Sequence, residues 1–366
     1  MQAKKKGLLQ IPQGTESIYL EEAFRHRRII QEVEKLFTGW GYLPAQVPVF
    51  DFFDIYRDLL DDASLSLIYR LIDRDGELLM LRSDITLFLA KHMGAVLSKE
   101  DLPLRVWYAD TILRHQDRED ISRNEFFQVG AELIGKPGIR GDIEVFALLV
   151  DILGELGIPE TYIHVGSRKL FEAVAAPMNE RDRNDLAHYI TVRDTGAIFA
   201  CVAGYYDGDA AEEYGKIFCF LGDLEELYGL KESLNRGSVS QELFDELNNL
   251  ERIASTILQV YPNTAIRVDL SEIGSQPYYT GVVFQAYMNG ADRAVASGGR
   301  YDQLIGHFGF ACPSVGFSLL LRKAEGRIPD LPRFSVPKPE EIEEKNSAIA
   351  LAEAKKVRLA GGVATI

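Results

Sequence analysis

Residues 105–135 read RVWYADTILRHQDREDISRNEFFQVGAELIG. Two arms rich in aromatic and β-branched residues, LRVWYADTILRH and NEFFQVGAELIG, flank an acidic loop, and this composition marks both arms as strands. On the second arm Gln128, Gly130 and Glu132 share one face, because strand side chains alternate with period two. Two polar side chains beside a glycine fit a concave, ligand-facing surface, and equally a solvent-exposed sheet face. Arg114 stands just before the loop.

Working outward, GDIEVFALLVDILGELG is a helix closed by Gly157. Upstream, ITLFLAKHMGAVL is a helix, preceded by a hairpin in which LIYRLID and ELLMLRSD flank a turn at Asp75-Gly76. YLPAQVPVFDFFDIY is extended, since Pro44 and Pro48 exclude a helix interior. Residues 16–40 have Ile29, Ile30, Val33, Leu36 and Phe37 at helical spacing, and Gly39-Trp40-Gly41 ends that helix.

Downstream, residues 166–256 turn helical and rich in Glu, Leu and Ala. Hairpin strands resume at AIRVDL and YYTGVVFQAYM, followed by a turn in ASGGRYDQLIGHFG and the apolar SVGFSLLLRKA. This pattern predicts an α+β fold built on an antiparallel sheet flanked by helices. The expected division is a core of 1–165 with 257–325, a mainly helical insertion at 166–256, and a Pro- and charge-rich tail at 326–366. That composition reads as poorly ordered or partner-dependent.

The 366 residues carry a formal net charge of -15 and are 46% hydrophobic. An acidic total argues mildly against gripping a nucleic-acid backbone. The cationic clusters, Lys4 to Lys6 and Arg25-Arg27-Arg28, fit a solvated tail and a helix face. No stretch approaches the roughly 18 apolar residues of a membrane span, and the basic start has no apolar run after it, so a secretory signal is not expected. Cys201, Cys219 and Cys312 lie far apart without CxxC pairing, so neither a disulfide framework nor a zinc site is expected. A cytoplasmic protein follows. P-loop, Rossmann glycine, HExxH and GxSxG signatures are all missing, and the sequence calls for no cofactor.

Three further groups carry chemistry. Leu81-Arg82-Ser83-Asp84-Ile85-Thr86 sits where a strand meets a helix, so Ser83 or Asp84 can cap the helix, or Asp84 and Thr86 can face an ammonium group. Tyr278 and Tyr279, adjacent on an expected strand, would point to opposite faces, one into the core and one toward a site. Ser297-Gly298-Gly299-Arg300-Tyr301-Asp302 reads as a glycine turn.

Taken in order, these segments resemble the catalytic core of the class II aminoacyl-tRNA synthetases, and histidyl-tRNA synthetase in particular, over about residues 10 to 325. The early helix and the strand around Pro48 resemble the dimer-forming first motif, and residues 105–135 the second. PYYTGVVFQAY and ASGGRYDQLIG resemble the histidine-specific motifs, and SVGFSLLLRKA stands at the third. The resemblance implies a histidine pocket. Asp84 and Thr86 would hold the ammonium, and Gln128 and Glu132 the ammonium and imidazole. Tyr278 and Tyr279 would line the ring, and Arg114 would face a carboxylate or phosphate. Asp84 stands where such synthetases usually carry Glu.

The parts that would handle ATP differ. The second motif's Arg-aromatic-Glu reads Arg114-His115-Gln116, and its loop arginine falls at Ser122 among Asp117, Glu119 and Asp120. The histidine-specific catalytic arginine aligns with Gly274, and the third motif's arginine with Lys323 beside Arg322. About forty residues follow Glu325, fewer than an anticodon-binding domain of usual size. A pocket without this equipment resembles the regulatory subunits of ATP phosphoribosyltransferase. That resemblance implies a non-catalytic chain that pairs with itself through residues 16–60, assembles with a short catalytic subunit, takes part in histidine feedback and does not engage tRNA. The competing expectation is an amino-acid ligase or histidyl-tRNA synthetase-like enzyme with an altered ATP site.

Overall fold

The computed structural model describes residues 11–12, 14–115, 124–290, 293–343 and 346–366. The acidic-loop residues Gln116, Asp117, Glu119, Asp120 and Ser122, and the Lys4 to Lys6 run, lie outside them. The chain divides into two compact units, one of residues 1–16 with 34–328 and one of 17–33 with 329–366.

The strands of the larger unit, in chain order, are β1 (Leu43–Pro44), β2 (Phe50–Phe52), β3 (Arg70–Ile72), β4 (Leu78–Leu81), β5 (Leu104–Leu113), β6 (Glu125–Ile134), β7 (Thr161–Ser167), β8 (Leu221–Gly222), β9 (Ala265–Asp269), β10 (Val282–Met288), β11 (Ala296–Arg300) and β12 (Ser314–Leu320). Among the described residues, nine of them form one sheet in the order β1-β5-β6-β12-β11-β10-β7-β9-β8. The two arms of residues 105–135 pair antiparallel, Tyr108 opposite Gly130 and Val106 opposite Glu132. The fold is α+β, as expected.

The sheet is mixed rather than wholly antiparallel, because β1 pairs parallel with β5 and β7 with β9. AIRVDL is therefore not the hairpin partner of the tyrosine-bearing segment: β7, a strand the pattern did not disclose, lies between β9 and β10. A parallel pair needs a crossover connection, commonly helical. The helices between β7 and β9, from Arg168–Ala175 to Gln241–Val260, supply it within the same compact unit as the sheet. The last of these packs against the helix Ile139–Glu155.

Gly298 and Gly299 do not make a turn. They lie within β11. A Cβ at Gly298 would stand 2.5 Å from the carbonyl oxygen of Gly316, and one at Gly299 2.9 Å from the Tyr279 ring. The glycines are there because the neighbouring strand and the tyrosine come close. Tyr278 and Tyr279 in turn precede β10 instead of lying on it.

A second sheet, β2-β4-β3, is antiparallel and carries the expected turn at Gly76, whose φ is +90°. In the smaller unit, the tail expected to be poorly ordered contains the helix Ser347–Leu359, capped by the Asn346 side chain, and a parallel two-stranded pair in which Glu340 lies opposite Ala364. There Arg25 pairs with Asp330 at 3.1 Å, and Arg28 donates to the Arg333 carbonyl. Among the described residues no helix is long and apolar enough to cross a membrane.

Candidate functional site

The site starts at the end of β4. Asp84 has extended backbone and caps the helix Ile85–Val96, its Oδ1 accepting the Thr86 N–H at 2.7 Å. The capping and the ligand-facing readings of this residue are not exclusive, since Asp84 also lines a narrow cavity. Arg82, fully buried, is structural: it donates to the carbonyls of Val47 and Thr111 and pairs with Asp110 at 2.5 Å. It thereby ties the end of β4 to β5 and fixes where Asp84 stands.

At the centre of the cavity is Glu132, 1% exposed. Thr86 donates to its Oε1 at 2.7 Å and Tyr108 to the same oxygen at 3.3 Å, while Tyr301 donates to Oε2 at 2.5 Å. Burial raises the Glu132 carboxyl to about 8 against the stabilising pull of these hydroxyl donors, and the nearby Asp84 charge pushes the same way. The carboxylate lies flat on β12, where a Cβ at Gly316 would fall 1.5 Å from Oε2. Only glycine leaves room for that side chain in its place.

Asp84, Thr86, Glu132, Tyr278 and Tyr279, all singled out in the sequence, line this cavity together. Gln128 is fully buried; its Oε1 accepts the Ile85 N–H at 3.2 Å, which orients the amide, and its Nε2 has no partner among the described residues. It stands beside the site rather than among the lining residues. Arg114 acts at one remove: its Nε donates to the Ser83 carbonyl at 2.8 Å, and Nη2 lies 3.6 Å from Asp84. The strand face of Gln128 and Glu132 is buried, so the exposed-face alternative does not hold.

Sequence reasoning passed over Tyr108 and Tyr301. Both phenols are fully buried with their acidity strongly suppressed, by burial first and then by the Glu132 charge. Tyr301 was visible inside SGGRYD, but nothing in the sequence tells that its hydroxyl reaches Glu132 across 169 positions. The cavity volume is about 10 Å³, on the order of one water. An amino acid enters only if the tyrosine wall moves.

The positions that the resemblance assigns to ATP handling have the following surroundings. Gly274 has φ +84°, and a Cβ there would meet Tyr279 Cδ2 at 2.6 Å. Lys323 lies 5.6 Å over the Phe126 ring, and Arg322 pairs with Glu16 at 3.3 Å and with Glu325. Among the described residues no group of His, Cys, Asp and Glu is arranged to hold a metal.

A family model described as histidyl-tRNA synthetase matches residues 14–324. The chain belongs to the histidyl-tRNA synthetase family. It is 31% identical over 341 residues to an ATP phosphoribosyltransferase regulatory subunit of Bacillus pumilus, covering 90% of this chain and 84% of that one. A protein of the same name from Moorella thermoacetica is 28% identical over 320 residues, 86% of this chain and 81% of that one. Among solved structures, an ATP phosphoribosyltransferase regulatory subunit/histidyl-tRNA synthetase from Bacillus halodurans superposes with a TM-score of 0.83 at 21% identity, over 98% of this chain and 92% of that chain. A histidyl-tRNA synthetase from a Nostoc species gives 0.75 at 18%, over 98% and 85%. These two structures share the fold. Within the family, the named relatives at higher identity are regulatory subunits, not catalytic ones.

Proposed function

We propose that this chain is the non-catalytic regulatory subunit of an ATP phosphoribosyltransferase. It activates a short catalytic subunit in the first step of histidine biosynthesis and takes part in feedback by L-histidine. The observation that carries this reading is a contrast within one site. The acidic pocket around Glu132 is kept, with both Glu132 oxygens placed by hydroxyl donors and Asp84 Oδ1 by the helix cap. The position that would bring a catalytic cation, Gly274, has a backbone and a neighbour that exclude a side chain. Adenylate formation needs fixed cations around the triphosphate, whereas binding an amino acid needs only complementary charge.

L-histidine is the ligand of the pocket in this reading. Its ammonium meets Asp84 and Glu132, its carboxylate faces the Arg114 side, and the tyrosines enclose the ring. The cavity is smaller than the ligand, so binding favours an opened arrangement of Tyr278 and Tyr279. A ligand that binds one arrangement better than another shifts the population toward it, and this is the requirement for feedback control. The chain pairs with itself in this reading, through the apolar face of the β2-β4-β3 sheet, where Phe50, Phe52 and Leu71 are exposed. It neither charges nor engages tRNA.

The test is turnover by the short catalytic subunit of the same organism, with and without this chain, across a histidine titration. Activation that histidine then suppresses is the expected result, and Glu132→Ala removes the suppression while leaving the activation. An unchanged rate, together with separate elution of the two chains on gel filtration, overturns the reading.

A further inference from the structure

A second cleft, of about 700 Å³, lies on the other side of the tyrosine pair. One wall is Pro277 to Thr280 with Leu304; the opposite wall comes from the helices Arg168–Ala175 and Glu180–Thr191 of the crossover. Its volume falls in the range of small-molecule sites, roughly 300–1,000 Å³, and nothing in the proposed function uses it.

The crossover wall is cationic. Arg168 donates from Nε to Glu172 Oε1 at 2.7 Å, and Arg183 donates from Nη2 to Glu172 Oε2. Both guanidinium groups also lie over the ring of the fully buried Phe171, at 4.7 and 5.1 Å from its centroid. Two like charges thus share one carboxylate and one ring. Among the described residues each makes a single hydrogen bond to protein, although a guanidinium has several donors arranged as a planar fork. Lys169 adds a third cation, half exposed and 3.9 Å from Glu246, and the remaining acid on the rim, Asp58, is already paired with Arg57.

The two guanidinium groups cannot both be neutralised by Glu172, and their positions are fixed before any ligand arrives. Burial lowers the basicity of Arg168; burial and then the Arg168 charge lower that of Arg183. An oxyanion bridging their unused donors relieves that repulsion, and charge-assisted bonds to a forked donor pair suit phosphate oxygens. Across the cleft, Tyr278, Pro277 and Leu304 offer an apolar, partly aromatic face for the rest of such a ligand.

We propose that this cleft binds a phosphate-bearing small molecule, held by Arg168, Lys169 and Arg183 and packed against the outer side of Tyr278. Tyr278 and Tyr279 line both this cleft and the acidic pocket, so one wall serves two ligands of opposite charge demand. The inference rests on the geometry of the cleft and does not require the regulatory role.

The experiment is calorimetric titration of the full chain with inorganic pyrophosphate and with AMP, at one ionic strength held constant with chloride. Wild type, Lys169→Gln and Arg183→Gln are compared after circular dichroism has confirmed their folding. Saturable binding of at least one probe, weakened about tenfold or more in each variant, is the expected result. Lys169 stands half exposed, so its variant keeps the test valid if Arg183→Gln is unstable. No saturable binding of either probe, or affinities unchanged in the folded variants, overturns the proposal.

Discussion

The ring of Tyr279 occupies the space in which a side chain at residue 274 would begin: a Cβ on Gly274 would lie 2.6 Å from Tyr279 Cδ2, on a backbone whose φ is +84°. A cationic side chain at this position would therefore meet strain and crowding together. The loop has settled into a shape that only glycine adopts without strain, and Tyr279 has closed over it.

Gly274→Arg accordingly fails to create an ATP-handling site. The left-handed backbone costs an ordinary residue about 1–2 kcal/mol, and crowding against Tyr279 adds about 1–3 kcal/mol. Denaturant unfolding is expected to show the variant less stable by that order, and ATP–pyrophosphate exchange by the isolated chain stays at background. Exchange above background in the variant would mean that the loop rearranges readily and that charging was lost for another reason.

Glu132 sets a pH dependence whose sign follows from its environment. Its carboxyl titrates near 8 in the folded chain against an ordinary value of 4.5. Between those two values the unfolded chain has released the proton and the folded chain has not, so the folded state binds more protons. Stability then falls as pH rises from about 4.5 to about 8 and levels off above. Glu132→Gln, which keeps the shape and cannot ionise, flattens this slope in urea unfolding measured across the same interval. An unchanged slope would assign the dependence to other groups, with Glu272, raised by burial to about 7, the first to examine.

The same group couples histidine binding to protons. An ammonium placed beside Glu132 favours the ionised carboxylate, so binding below pH 8 releases a proton. Calorimetric enthalpies measured at pH 7 in buffers of different ionisation heat should separate accordingly, and Glu132→Gln should bring them together. Identical enthalpies in all buffers with wild type would place the ligand away from Glu132.

How far the sequence could be read is plain from these residues. Asp84, Thr86, Glu132 and the tyrosine pair were legible because short-range rules apply to them: a strand-to-helix junction needs a cap, and period two puts Gln128 and Glu132 on one face. The resemblance to a known family turned those local hints into a pocket. What stayed hidden depended on distant neighbours. Gly298 and Gly299 look like a turn until Gly316 and Tyr279 are seen against them. Strand β7, TYIHVGS, has mixed polar and apolar residues, and its place between β9 and β10 is set by a crossover of about a hundred residues. The hydroxyls of Tyr108, on β5, and Tyr301, just past the end of β11, converge on Glu132 only in the folded sheet.

The buried ion pair of Arg300 is a structural counterpart to the pocket. Arg300, 4% exposed, meets Asp142 at 2.6 Å and Asp302 at 3.0 Å, and donates to the Gly138 carbonyl at 3.1 Å. It joins the end of β11 to the start of the helix Ile139–Glu155. Removing one partner leaves a buried charge uncompensated, which costs about 3–5 kcal/mol. Asp142→Ala should lower the unfolding free energy by that order, with Asp302→Ala, more exposed, costing less. Equal and small losses in both variants would mean that solvent reaches the guanidinium.

The exposed apolar face of the β2-β4-β3 sheet makes the last prediction. Phe50 is 54% exposed, Phe52 48% and Leu71 37%, and the strand register places all three on one face, a cluster larger than isolated surface residues explain. Asp51, between the two phenylalanines, points to the opposite face and accepts from the Tyr56 hydroxyl, so the apolar face is free to meet a second copy without refolding. Placing a charge there sets its desolvation against association. Phe50→Asp combined with Leu71→Glu, two positions on the same face, should convert a dimer to a monomer in sedimentation equilibrium, with the circular dichroism spectrum unchanged. Sedimentation of the folded double variant as wild type would move the self-association surface elsewhere.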